Sequence, residues 1–119
     1  MNPVIISEVI SFFCKGHDIN FKWPNDILIS NKKICGILQE VVTFKNTKFL
    51  IVGIGMNIIS NPNIKLKYKA TNIFLETKKK PNLDRIVKKI IVNYEKFFIN
   101  INSYNYNYFK SKINLISNY

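Results

Sequence analysis

The chain contains one arginine, Arg85, one histidine, His17, and two cysteines, and no apolar run in it is long enough to span a bilayer. Each shortage argues against a class of function. Proteins that read base edges and phosphates favour the bidentate guanidinium fork. A formal net charge of +11 carried almost wholly by lysine therefore points to a solvated surface rather than a nucleic-acid-binding stripe. Lysine, isoleucine and asparagine together are the residue set that A+T-rich codons supply, and the Asn-Tyr repetition near the C-terminus belongs to the same bias. A lone histidine allows no His-rich metal cluster, and no metal ligands are expected. No Ser/His/Asp triad or paired-carboxylate signature can be assembled either. Cys14 and Cys35 sit in apolar patterns without Cys-x-x-Cys spacing, which argues against a zinc site or a disulfide framework and for a reducing, cytoplasmic setting. The apolar N-terminal stretch is interrupted by Glu8 and lacks a basic leader and a small-residue cleavage site, so it reads as an amphipathic core helix, and no membrane partner is expected.

A length of 119 residues with 47% hydrophobic content is enough to bury the core of one small domain, residues 1–119. Ile5, Ile6, Val9, Ile10, Phe12 and Phe13 recur at helical spacing, and Lys15-Gly16-His17-Asp18 closes that helix, with His17 in a structural place at its C-terminal end. Ile19 to Trp23 reads as a strand that Pro24 ends by removing a ladder donor, and Ile27 to Ser30 resumes extended structure. A turn at Asn31-Lys32 leads to a strand from Lys33 to about Thr43. A second turn at Lys45-Asn46-Thr47 leads to the β-branched run Phe49 to Gly55. Three antiparallel strands in sequence make a meander. A long loop follows Asn57, and Asn82 or Asp84 caps a last helix with apolar positions Ile86, Ile90, Tyr94, Phe97 and Phe98, ending near Ile101. The class is α+β, with helices covering one face of an antiparallel sheet.

Three blocks within this frame carry chemistry. In Lys22-Trp23-Pro24-Asn25-Asp26, Pro24 fixes the backbone and presents Asn25 and Asp26 just beyond a strand end; alone, such a turn commonly satisfies its own backbone. In Lys33-Ile34-Cys35-Gly36-Ile37-Leu38, Lys33 opens the neighbouring strand within cross-strand reach of Asp26. Gly36 interrupts that strand, either for the close approach of a ligand or for a β-bulge. In Gly53-Ile54-Gly55-Met56-Asn57, the glycines lack the third glycine and the helix of a dinucleotide fingerprint, while Asn57 carries both an amide donor and an acceptor for a base edge.

The three blocks, in this order, resemble the catalytic domain of biotin-protein ligases, and Lys69-Ala70-Thr71-Asn72-Ile73 followed by a helix is similar to that family's region after the glycine strand. The resemblance implies an enzyme that uses ATP and Mg2+ to activate biotin as biotinyl-adenylate and attaches it to a lysine of the biotin carboxyl carrier protein of acetyl-CoA carboxylase or a related carboxylase. It makes Lys33 the catalytic lysine, with Asp26 beside it either binding magnesium indirectly or orienting Lys33 and the acceptor amine. Gly36, Ile37 and Leu38 then line the biotin and adenylate pocket together with Lys33, Trp23 buttresses it, and Asn25 and Asn57 contact the nucleotide. The family's glycine- and arginine-rich loop, which closes over the adenylate, has no counterpart here, nor does the small C-terminal domain of many members. The chain thus resembles the C-terminal half of the ligase catalytic domain, a split or truncated ligase whose partner is a separately encoded N-terminal half. The alternatives are a fragment similar to lipoate-protein ligase, an inactive remnant, and a basic nucleic-acid-binding module. Trp23-Pro24 and Gly36-Ile37-Leu38 are the biotin-type versions of their blocks and weigh against lipoate.

Overall fold

The computed structural model describes residues 2–61 and 69–99. Part of the expected loop, the expected end of the last helix near Ile101 and the Asn-Tyr repetition lie outside the described residues.

The chain begins with helix α1 (Asn2–Phe13), which buries Val4, Ile5, Ile6, Val9 and Ile10. Gly16, at φ +79°, supplies the left-handed residue after it, where a side chain would be strained. Four strands follow: β1 (Ile19–Lys22), β2 (Asp26–Ile29), β3 (Lys32–Phe44) and β4 (Thr47–Met56). Among the described residues they form one antiparallel sheet in the order β1-β2-β3-β4, so the meander has four strands where the sequence suggests three. The difference arises at Trp23-Pro24-Asn25, which does not merely interrupt a strand but reverses the chain, so that Lys22 pairs with Asp26. Ser30-Asn31 and Lys45-Asn46 make the two tight hairpins, each with both residues at positive φ, as primed two-residue turns require. The first lies one residue before the expected Asn31-Lys32.

Beyond the sheet come a short helix α2 (Ile73–Thr77) and helix α3 (Leu83–Ile99). The Asn72 side chain caps α2 by accepting from the Leu75 amide at 2.7 Å, and Asn82 does the same for α3 by accepting from the Arg85 amide at 3.2 Å. α1 packs against α3 and against β1 and β2. The core gathers Val4, Ile6, Ile10 and Cys14 from α1, Phe21, Ile27, Ile29, Ile34, Cys35 and Ile37 from the sheet, and Ile73 and Ile86 from α2 and α3. Burying each of these isoleucines is worth roughly 1.5–3 kcal/mol relative to exposure. Ile86 and Phe97 are the buried positions of α3, whereas Phe98 of the expected apolar stripe is exposed.

A polar relay ties the layers together. The Tyr94 hydroxyl donates to Asn2 Oδ1 at 3.0 Å, and Asn2 Nδ2 donates to Gln39 Oε1 at 2.6 Å, linking α3 to β3 through the first turn of α1. Burial pushes the Tyr94 phenol up to about 12. His17 spans the end of α1 and α2, with Nδ1 3.1 Å from the Cys14 carbonyl and Nε2 3.1 Å from the Glu76 carbonyl, a structural role as expected.

Candidate active site

A pleated sheet sends alternate side chains to opposite faces, so Ile27, Ile29, Cys35 and Ile37 fill the helix-covered core, and the residues between them face the other way. That second face holds a cleft of about 820 Å³, lined by Pro24, Asn25, Asp26, Lys33, Gly36, Ile37, Leu38, Gly53, Ile54, Gly55, Met56, Asn57 and Ala70.

Strict alternation would not put Lys33 there. Asp26 pairs with Gly36 and Ile27 with Cys35, but Leu28 pairs with Lys33, so the register slips by one residue and Ile34 is the extra one. This bulge lets two consecutive residues, Ile34 and Cys35, both bury, at 0% and 1% exposure, and it turns Lys33 onto the face of Asp26 and Gly36. The Lys33 Nζ lies 3.3 Å from Asp26 Oδ1, with both side chains partly buried. Lys32, on the other face, instead bonds Glu76 of α2 at 3.1 Å. Two adjacent lysines are thereby given different work: one braces a helix and the other faces the cleft.

Glycine shapes the rest of the floor. Gly36 pairs with Gly55, and Leu38 with Gly53, along the cleft-facing ladder. A Cβ on Gly36 would lie 3.5 Å from both Lys33 Cε and Nζ and 3.7 Å from Asp26 Oδ1. The glycine therefore leaves the cleft side of the ion pair uncovered, and the bulge lies at Ile34 rather than at Gly36. Behind the floor, burial pushes the Cys35 thiol up to about 12; the Lys33 ammonium pulls against that shift, and the Asp26 carboxylate adds to it.

The structure brings together seven of the eight residues singled out from sequence. Asp26, Lys33, Gly36, Ile37, Leu38, Asn25 and Asn57 all line the cleft. Their contributions differ. Ile37 is 3% exposed and packs in the core, offering backbone, and its amide donates to the Asn25 carbonyl at 2.8 Å, which ties the Trp23-Pro24-Asn25 turn to β3. Leu38, 72% exposed, stands on the cleft face. Asn57 Nδ2 donates to the Thr71 carbonyl at 3.1 Å, so its amide is engaged within the fold. Trp23 is the exception: at 74% exposure it lies on the surface outside the cleft lining, not in the buried position its residue type suggests. Sequence reasoning named Ala70 only within the block after the glycine strand and not as a site residue, yet it lines the cleft and makes an isolated parallel bridge to Lys33. No periodic pattern marks such a bridge, since it is made by a segment without regular structure.

The arrangement can bind an elongated, partly apolar ligand over a glycine floor and present one ammonium, held by one carboxylate, to an anionic group. Among the described residues there is no group of three or more His, Cys, Asp or Glu that could hold a metal ion. Asp26 alone does not make a resident metal site. No helix among the described residues is long and apolar enough to cross a membrane.

Residues 14–57 match the model of the Biotin/lipoate A/B protein ligase family. Over 85 residues the chain is 35% identical to the bifunctional ligase/repressor BirA of Bacillus subtilis, an alignment that takes in 68% of this chain and 26% of that protein. The apo structure of biotin protein ligase from Aquifex aeolicus superposes with a TM-score of 0.79 at 26% identity, over 98% of this chain and 51% of that one. The same ligase in complex with biotin and ATP gives 0.72 at 28% identity, over 92% and 46%. The chain thus spans about half the length of the solved ligase and about a quarter of the curated relative.

Proposed function

We infer that the chain, a relative of the biotin protein ligases that carries part of their catalytic fold, supplies the lysine-bearing half of a site that activates biotin with ATP and passes it to a protein lysine. The observation that carries this reading is the Lys33–Asp26 pair at 3.3 Å over the glycine floor, in the segment that matches the family. It is supported by the likeness to a solved ligase that holds biotin and ATP.

In the adenylation step, a biotin carboxylate oxygen attacks the α-phosphorus of ATP, and the bond to the pyrophosphate oxygen breaks. Both reactants are anionic, so a preorganised ammonium at Lys33 offsets their repulsion and the charge that grows on the phosphoryl oxygens. Asp26 holds that ammonium in place and is set to orient the acceptor amine. Gly36, with Gly53 and Gly55, lets the ligand lie on the backbone, and Ile37 and Leu38 border its apolar part. Asn25 and Asn57 stand at the nucleotide's share of the cleft, and Trp23 flanks the site from the surface. In the transfer step, the acceptor lysine's neutral amine attacks the adenylate carbonyl, AMP leaves, and the amine's proton goes to solvent. The acceptor is a biotin carboxyl carrier protein of acetyl-CoA carboxylase or a related carboxylase, the setting is the cytoplasm, and the shielding loop comes from an N-terminal ligase half outside these 119 residues. Lipoate is the weaker substrate on this reading, and nucleic acid is not a partner.

Biotin-dependent exchange of labelled pyrophosphate into ATP tests the reading, with the 119-residue chain alone and then mixed with the N-terminal half of a related ligase. Exchange is expected only in the mixture. Absence of exchange in the mixture, together with no saturable binding of biotinyl-adenylate, overturns the proposal; exchange by the chain alone overturns the need for a second half.

A further inference from the structure

We propose that Asn57 is a positioning residue for Lys33, acting through the segment Lys69–Thr71, which straps the lysine's peptide to the sheet. The inference rests on the reading that Lys33 is the working cation of the cleft, but its geometry stands by itself.

β4 pairs with β3 only as far as Cys35↔Met56. Lys33, two residues on, is paired with Leu28 of β2 on one side and has lost β4 on the other. The vacated side is taken by Lys69–Thr71: the Lys33 amide donates to the Lys69 carbonyl and the Thr71 amide donates to the Lys33 carbonyl, each at 2.8 Å. A two-bond parallel bridge with no strand behind it is a weak device, because each bond contributes little net free energy and the segment pays conformational entropy to lie still. Something must hold it.

Asn57 does so from three directions. Its amide N–H donates to the Ile34 carbonyl at 2.8 Å, at the bulge beside Lys33. Its carbonyl accepts from the Ile73 amide at 3.1 Å, at the start of α2. Its side-chain Nδ2 donates to the Thr71 carbonyl at 3.1 Å, which fixes the end of the strap. Asn61 adds a second tie, Nδ2 to the Ala70 carbonyl at 3.1 Å, and is itself held by Asn72 Nδ2 at 2.9 Å. The residue type follows from the bond. A carbonyl partner demands a donor, so aspartate would set a carboxylate against it, leucine would offer nothing, and glutamine would overshoot by a methylene. One Nδ2 hydrogen of Asn57 thus serves the geometry of Lys33.

Amide hydrogen exchange and the side-chain NMR signals of Lys33 (Nζ and Cε), measured on the full 119-residue chain without ligand, test the assignment. Asn57→Asp keeps the shape and removes the donor. The Lys33 and Thr71 amides should then exchange roughly ten-fold faster, as loss of one hydrogen bond allows, and the Lys33 Nζ and Cε signals should shift, while the β3–β4 ladder amides keep their rates. Unchanged Lys33 and Thr71 exchange, equal acceleration of every amide, or an unmoved Lys33 side chain would each overturn it. Should Asn57→Asp fail to fold, Asn61→Ala, which removes the tie to Ala70 together with the bond from Asn72 Nδ2, decides the matter: faster exchange at Thr71 supports the strap and an unchanged rate rejects it. None of these readouts needs catalysis, so the expected rates, found beside a mixture with the N-terminal half that neither exchanges pyrophosphate nor binds biotinyl-adenylate, would sink the ligase reading and leave the strap standing.

Discussion

Lys33 meets Asp26 at 3.3 Å because the residue after it in β3, Ile34, is extra: the register of β2 against β3 slips there and carries the lysine from the core face to the cleft face. The pair is partly exposed, so its direct worth to stability is small. Its value is the fixed position of a charge.

The first prediction separates the two neighbouring lysines. In any preparation that exchanges pyrophosphate in response to biotin, Lys33→Ala should lower the rate about a hundredfold, the ~3 kcal/mol typical of one preorganised charge at a reacting centre. Lys32→Ala removes a brace to Glu76 at 3.1 Å and should change the rate by no more than a few-fold, as expected for a partly exposed pair. Similar losses in both variants would show that the charge acts only at long range.

Gly36 sets up a graded test. An added methyl would lie 3.5 Å from Lys33 Nζ, an ordinary van der Waals contact, so Gly36→Ala should fold with stability changed by no more than about 1 kcal/mol. Gly36→Val projects further atoms into the ion pair and the cleft. It should weaken biotinyl-adenylate binding by at least an order of magnitude, roughly 1.4 kcal/mol, while the melting temperature follows that of Gly36→Ala. Calorimetric titration beside thermal melts reads both, and equal ligand affinity in the two variants would mean that the ligand does not approach Gly36.

The α+β class, the end of α1, the start of α3 and both long strands were legible because each rests on a local period of apolar residues or on a turn residue. The cleft was legible in outline because its blocks are short and contiguous. What escaped depends on pairing between distant segments. The slip at Ile34 leaves only one trace, the adjacent core-type residues Ile34-Cys35 where a half-buried strand should alternate. Placing the first hairpin at Asn31-Lys32 trusted asparagine to lead the turn, whereas Asn31 and Asn46 each occupy the second central position. Trp23, given a buttressing place by the resemblance, stands on the surface outside the cleft lining, because a residue type carries no knowledge of what packs over it. The strap at Lys69–Thr71 has no sequence period because its order comes from Asn57 and Lys33.

The cysteines give a pH prediction. Burial pushes Cys14 from its ordinary 9.0 up to about 11, with Glu76 adding to the shift, and Cys35 up to about 12. The folded chain thus holds these protons more tightly than the unfolded chain, which releases them first as pH rises past 9. The stability they contribute is fully present below pH 9 and is lost as pH climbs through 11 and 12. Chemical denaturation across that window should show a falling unfolding free energy, less so in Cys35→Ser and Cys14→Ser than in the parent chain. At neutral pH neither thiol should react with iodoacetamide until the chain is unfolded; fast labelling by mass spectrometry of the native chain would contradict the burial.

The far end of the β3–β4 ribbon governs the chain's behaviour in solution. An apolar sheet face with no neighbour is expected to seek one; of the four residues that alternation puts on it, Ile37 and Val52 pack with or against the core, whereas Val41 (65%) and Leu50 (48%) are exposed. Phe44, Phe49 and Ile51 add to the exposed set, which spreads over both faces of a ribbon whose outer strand β4 is an edge among the described residues. Unpaired N–H and C=O groups beside exposed apolar side chains form a template for another strand, and burial of that surface contributes about 25 cal/mol per Å². The 119-residue chain alone should therefore sediment as larger species as its concentration rises through the micromolar range, despite its net charge of +11. Val41 and Leu50 face each other across the ladder, so the double variant Val41→Lys and Leu50→Glu keeps a favourable cross-strand pair while removing the apolar template. It should remain monomeric with its fold intact by circular dichroism. A parent chain that stays monomeric over the same range would show that the ribbon needs no cover, and self-association persisting in the double variant would move the contact to another surface.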